Sequence, residues 1–144
     1  DPQVWWQARL RQPHLLDECA ALLMGDLDLS AFSCLRHDGT DHDDPVRRYF
    51  DSHWQHLPWR RGVLHVWRIT GSGFLYRQVR ALAGAMVAVA NGALSFDDFQ
   101  AAIAAGRAHP RPGQIAPAQG LTLERVTYDP EPDWWDLGPD FVEL

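Results

Sequence analysis

With 144 residues, 46% hydrophobic and 22% charged, the chain has the size and composition of one folded domain with a substantial core. No apolar run approaches the roughly 18 residues that cross a bilayer, and the first residues lack the basic-then-apolar pattern of a signal segment. The net charge of −6 comes from residues 129–144, which hold six acids and no base, whereas residues 45–80 carry seven arginines against one acid, Asp51, a surplus that attracts polyanions.

Every base in the chain is arginine. The cysteines, Cys19 and Cys34, form no CxxC pair, so no metal or redox motif is present and an intracellular protein with free thiols is the expectation; a Cys19–Cys34 disulfide stays open. Residues 1–13 lack periodicity. Residues 14–25 read as a helix, with Leu15, Leu16, Cys19, Ala20, Leu22 and Leu23 on one stripe and Gly25 as a stop. Asp26, Asp28 and Ser30 imitate the start of a calcium loop, but Ala31 stands where glycine is needed and His37 where the closing acid belongs, so calcium is rejected. Residues 36–45 form a polar, turn-rich loop whose two histidines and four aspartates read as a solvated surface more readily than as a metal site.

Residues 46–57 and 63–70 have strand character, joined by a turn at Pro58-Trp-Arg-Arg-Gly62 as in an antiparallel hairpin. Charges interrupt the first of these, as in a bent or an edge strand. A long apolar helix is expected from about Phe74 to Ala90, ending at Asn91-Gly92. Its first turns carry Arg77 and Arg80, rigid forks of donors suited to carboxylate or phosphate. Ser95 to Asp98 caps a further helix that ends at Gly106. Residues 107–120 read as an irregular loop and Leu121–Tyr128 as a strand. The acidic tail carries Trp134, Trp135, Leu137, Phe141 and Val142, which predicts packing on the body or on a partner. Gly71-Ser-Gly73 lacks the third glycine of a dinucleotide loop, and no HExxH or nucleophile elbow is present. Spacing alone therefore supports an α+β domain, an antiparallel or mixed sheet packed against two or three helices, with an arginine-rich face suited to RNA.

Several stretches, in order, resemble the C-terminal domain of the tRNA pseudouridine synthase A family. Gly25-Asp-Leu-Asp-Leu-Ser-Ala-Phe32 is similar to G-x-x-D-F-S-x-F, with Leu29 for phenylalanine. Gly73-Phe-Leu-Tyr-Arg-Gln-Val-Arg-Ala-Leu-Ala-Gly84 resembles F-L-x-x-M-V-R-x-x-x-G, with Gln78 for methionine. Ala116-Pro-Ala-Gln-Gly-Leu-Thr-Leu123 resembles A-P-A-x-G-L-Y-L, with Thr122 for tyrosine. Val126-Thr-Tyr128 and Gly138-Pro-Asp-Phe141 also fit, so the likeness spans nearly the whole chain.

The resemblance implies a single domain over residues 1–144 and a tRNA-modifying isomerase. Such an enzyme converts uridine to pseudouridine in the anticodon arm without a cofactor, as a cytoplasmic homodimer with no membrane partner. It implies that Arg80 pairs with the nucleophilic aspartate and that Leu121 packs near the flipped base, with Arg77, Arg68 and Arg47 as candidate RNA contacts. The family's nucleophile lies in an R-T-D-A-G-V-H segment, which these residues do not contain; Asp41 in Gly39-Thr-Asp41 lacks that context. Residues 1–6 resemble the family's inter-domain linker. The expectation is half an enzyme, inactive alone. The alternatives are a stand-alone RNA-binding module or a protein-interaction domain.

Overall fold

A computed structural model describes residues 3–34, 44–106 and 112–127. The elements are α1 (His14–Ala21), β1 (Gly25–Asp28), a 3-10 turn (Ser30–Phe32), β2 (Val46–Trp59), β3 (Gly62–Gly71), α2 (Gln78–Ala90), α3 (Phe96–Ala105) and a second 3-10 turn (Ala118–Gly120). Among the described residues the expected α+β architecture is what forms: one three-stranded antiparallel sheet of order β1-β2-β3 with three helices.

The chain pattern explains where these elements stop. α1 is shorter than its apolar stripe because Leu22 and Leu23 tighten into bonds to the carbonyls of Cys19 and Ala20, and Gly25, at φ 85°, turns the chain into β1. β1 is an element the sequence reading missed. Its register pairs Gly25 with Tyr49 and Asp26 with Arg48, making β2 the central strand and not an edge. The expected bend in β2 is a register shift between Tyr49 and Asp51, which re-aims the strand where it leaves β1. Asp28, once a mimic of a calcium ligand, accepts from the Ser30 amide (3.0 Å) and hydroxyl (2.5 Å) and so shapes the first 3-10 turn.

The core lies among the helices, β1 and the inner end of β2. Leu16, Cys19 and Leu23 of the α1 region meet Leu29, Phe32, Tyr49, Leu82, Met86, Val89 and Phe99. Burial pushes the Cys19 thiol up to about 12, so it behaves as a small apolar side chain. No disulfide joins Cys19 and Cys34. Ser95 caps α3 by accepting from the Asp98 amide at 3.0 Å, as the sequence suggests. The outer half of the hairpin extends beyond the core, stiffened by stacked Trp54 and Trp67 and by the Trp67 indole donating to the Ser52 hydroxyl. No described helix is long and apolar enough to cross a membrane. The loop histidines and aspartates at 37–43, Asp41 among them, and the acidic tail lie outside the described residues.

Candidate nucleic-acid interface and arginine site

The site begins where α2 begins. The expected helix start at Phe74 is displaced to Gln78, because the chain first makes a turn that ends with Arg77 at φ 59°, ψ 14°. Gln78 fixes this turn. Its side chain is fully buried; Oε1 accepts from the Leu75 amide at 3.0 Å, and Nε2 donates to the Tyr49 hydroxyl at 2.7 Å. Burial pushes the Tyr49 phenol up, and the Gln78 bond opposes that shift in part. The Leu75 amide is thus satisfied without a helical partner, and α2 starts three residues later.

From there the helix carries Arg80 and Gly84 one turn apart on a single face, and both receive the same piece of chain. The Arg80 side chain is half-buried; its Nε donates to the Ala116 carbonyl at 2.7 Å, while the Ala116 amide donates to the Arg80 carbonyl at 3.0 Å. Gly84 makes this approach possible: a Cβ there would lie 1.6 Å from the Gln114 carbonyl oxygen. The glycine of the F-L-x-x-M-V-R-x-x-x-G pattern is therefore a close-approach glycine, and the arginine of that pattern clasps the Ala116-Pro117 backbone. The bond to Ala116 uses the inner nitrogen of the guanidinium. Among the described residues no carboxylate pairs with Arg80.

Beyond the clasp, Ala118–Gly120 turns and delivers Leu121, half exposed, into an open cleft of about 2680 Å³. The expected strand at 121–128 does not form within residues 121–127. They have no ladder partner among the described residues, and β propensity expresses itself only against a neighbouring strand. Leu121, Leu123 and Val126 are exposed on this segment, and Phe50 and Phe74 are exposed among the other residues lining the cleft.

The cleft is lined by seven arginines (Arg9, Arg60, Arg61, Arg68, Arg77, Arg80, Arg125) and, among the described residues, by one acid, Glu124. Of the sequence-predicted residues it brings together Arg80, Leu121, Arg77 and Arg68. Arg77 is exposed beside the start of α2, with its guanidinium 5.1 Å from the Tyr76 ring centroid. Arg68 on β3 reaches Glu124 at 3.4 Å and Gln55 Oε1 at 3.3 Å, so it tethers the 121–127 segment. Arg47 is not among the lining residues. It bonds the carbonyls of Asp44 (2.5 Å) and Val46 (2.9 Å), ordering the entry to β2. Arg60 and Arg61, at the hairpin tip, are cleft residues that the sequence reading did not single out, although the Arg-Arg pair inside a turn was visible. Arg48, by contrast, is committed to Asp26 through two bonds of 2.7 and 2.9 Å, which hold the Asp26 carboxyl below its usual range. No group of three metal-binding side chains occurs among the described residues.

Comparison with known proteins agrees with the motif likeness. Residues 19–129 match the family model described as tRNA pseudouridine synthase. Over 113 residues (78% of this chain, 39% of the relative) the chain is 41% identical to tRNA pseudouridine synthase A of Solidesulfovibrio magneticus. It is 34% identical to the same enzyme of Bacillus pumilus over 81% of this chain and 46% of the relative. It is also 34% identical to that of Bdellovibrio bacteriovorus over 82% and 42%. The chain thus spans less than half the length of the curated relatives it matches. The match covers the Arg80 clasp, the Gly84 crossing and the Leu121 segment together, and the chain belongs to the tRNA pseudouridine synthase family.

Proposed function

We propose that this chain forms the arginine-bearing, RNA-facing part of a tRNA pseudouridine synthase that isomerises uridine in the anticodon arm of tRNA. The observation that carries this reading is the cleft: seven arginines against one described acid, with Arg80 braced at its wall. Phosphates and a carboxylate are the anions such a surface accepts. In this reading Arg77 and Arg68 contact the tRNA backbone from within the cleft, and Arg47 contacts it from beside the cleft.

Arg80 serves the chemistry. A partly desolvated carboxylate nucleophile loses its charge unless a fixed cation faces it. Arg80 can supply that cation because the Ala116 carbonyl already orients its fork. The nucleophilic aspartate comes from an R-T-D-A-G-V-H segment that residues 1–144 do not contain, so the chain alone supports the reaction but does not start it. The target base must leave its stack to be reached, and Leu121, exposed at the cleft mouth, packs against it once flipped. The working enzyme pairs as a homodimer in the cytoplasm and uses no cofactor.

The exposed apolar set Phe50, Phe74, Leu121, Leu123 and Val126 favours a second reading, in which a polypeptide covers part of the same cleft. Titrating tRNA binding against salt separates the two. Phosphate contacts give a steep loss of affinity with rising salt. A salt-insensitive interaction with protein and none with tRNA would replace the RNA reading.

A further inference from the structure

The tip of the β2–β3 hairpin, which lines the same cleft, carries a layered arrangement that the clasp of Arg80 on Ala116 does not use. Trp59 closes the strand pair with Gly62, so Arg60 and Arg61 form the two-residue turn. The Trp6 and Trp59 rings stack at 5.6 Å between centroids, with 30° between their planes. The Arg60 guanidinium lies 4.6 Å from the Trp59 ring centroid. Trp6 is 57% exposed, which leaves much of its indole open to solvent. Both arginines are exposed, and neither enters an ion pair among the described residues.

A plain structural role, pinning residues 3–9 against the hairpin, accounts for the two tryptophans. It does not account for Arg60. That residue sits at φ 53°, a conformation that glycine and asparagine adopt with least cost. Holding an arginine there keeps a second positive charge beside the aromatic pair against local backbone preference. Open indole surface close to guanidinium groups that enter no described ion pair is the pattern that takes up a single nucleic-acid strand: the ring stacks on a base and the charges hold the neighbouring phosphates.

We propose that this tip is a platform for an unpaired nucleotide, whose base stacks on Trp6 while its flanking phosphates pair with Arg60 and Arg61. The inference rests on the RNA-binding reading above and adds a contact at the hairpin tip, apart from Arg80 and Leu121.

Fluorescence anisotropy with labelled oligouridylate and with duplex RNA of equal length tests it, on the chain as it stands and across a salt series. Trp6→Ala is expected to weaken oligouridylate binding about tenfold and duplex binding far less. Arg60→Gly relieves the positive φ, so it folds at least as well, as a thermal melt would verify. It is expected to lower the slope of log affinity against log salt by about 0.7. Wild-type binding with a steep salt slope that neither variant changes would overturn the platform and leave the RNA reading standing. Equal loss on both RNAs with Trp6→Ala would overturn the stacking contact. No binding of tRNA or oligouridylate by the wild type would remove the RNA reading and the platform with it. Should Trp6→Ala fail to fold, the salt slope of Arg60→Gly decides alone.

Discussion

Arg80 holds backbone with one nitrogen and also lines the cleft, so its replacement tests structure and function at once. Arg80→Ala removes a hydrogen bond from a charged donor to the Ala116 carbonyl, a loss of about 1.5–3 kcal/mol when such bonds are well shielded and less here, where the group is half exposed. In the complete synthase the same change is expected to abolish measurable pseudouridine formation. Arg80→Lys, which restores charge without the fork, is expected to recover part of the stability and little of the activity. Gly84→Ala drives a methyl into the Gln114 carbonyl and is expected to cost about 1–3 kcal/mol in denaturant unfolding. Gln78→Leu strands the Leu75 amide and the Tyr49 hydroxyl inside the protein, at a cost of about 1–3 kcal/mol by the same measurement. Arg80 was legible in the sequence because a charge on an apolar helix stands out. Its partner at Ala116 was not, because a backbone carbonyl 36 residues away carries no side-chain signature.

At the scale of elements, the hairpin is tied to α1 by a histidine pair. His56 and His65 face each other across β2 and β3 with their Nδ1 atoms 2.7 Å apart, and His56 Nε2 lies 3.0 Å from both Asp17 carboxylate oxygens. One proton can be shared between the Nδ1 atoms; two cannot. Burial, and then the neighbouring His56, hold the His65 imidazole below its ordinary value, with Asp17 opposing in part. In the window just below the usual histidine value of about 6.5 the unfolded chain therefore binds more protons than the folded one. Stability is expected to be intact above that window and to fall as pH drops through it. Melting temperature measured between pH 8 and 5 checks this, and His65→Phe should flatten the profile. The hairpin itself was readable from alternation and turn residues. β1 was not, because four residues rich in aspartate read as a ligand loop until Tyr49 and Arg48 are seen opposite them.

For the molecule as a whole, the charge distribution matters more than the net charge. Among the described residues seven arginines gather on one cleft although the chain carries a formal −6. Incubated alone with unmodified tRNA, the chain is expected to yield no pseudouridine; mass spectrometry of the digested tRNA checks this, and any product refutes it. Affinity for the same tRNA is expected to fall by orders of magnitude between about 50 and 200 mM salt if six or more phosphates are neutralised.

By itself the sequence determined the α+β class, the hairpin, the capped third helix, the family likeness and the arginine surplus. Each of these is written in local period, turn chemistry or short motifs. Tertiary structure alone decided that β2 is central, that α2 begins at Gln78, and that residues 121–127 run as exposed chain without a strand partner among the described residues. It also decided that the motif arginine and the motif glycine serve one backbone crossing. These depend on what each segment meets across the fold, and a pattern read along the chain does not contain its partners.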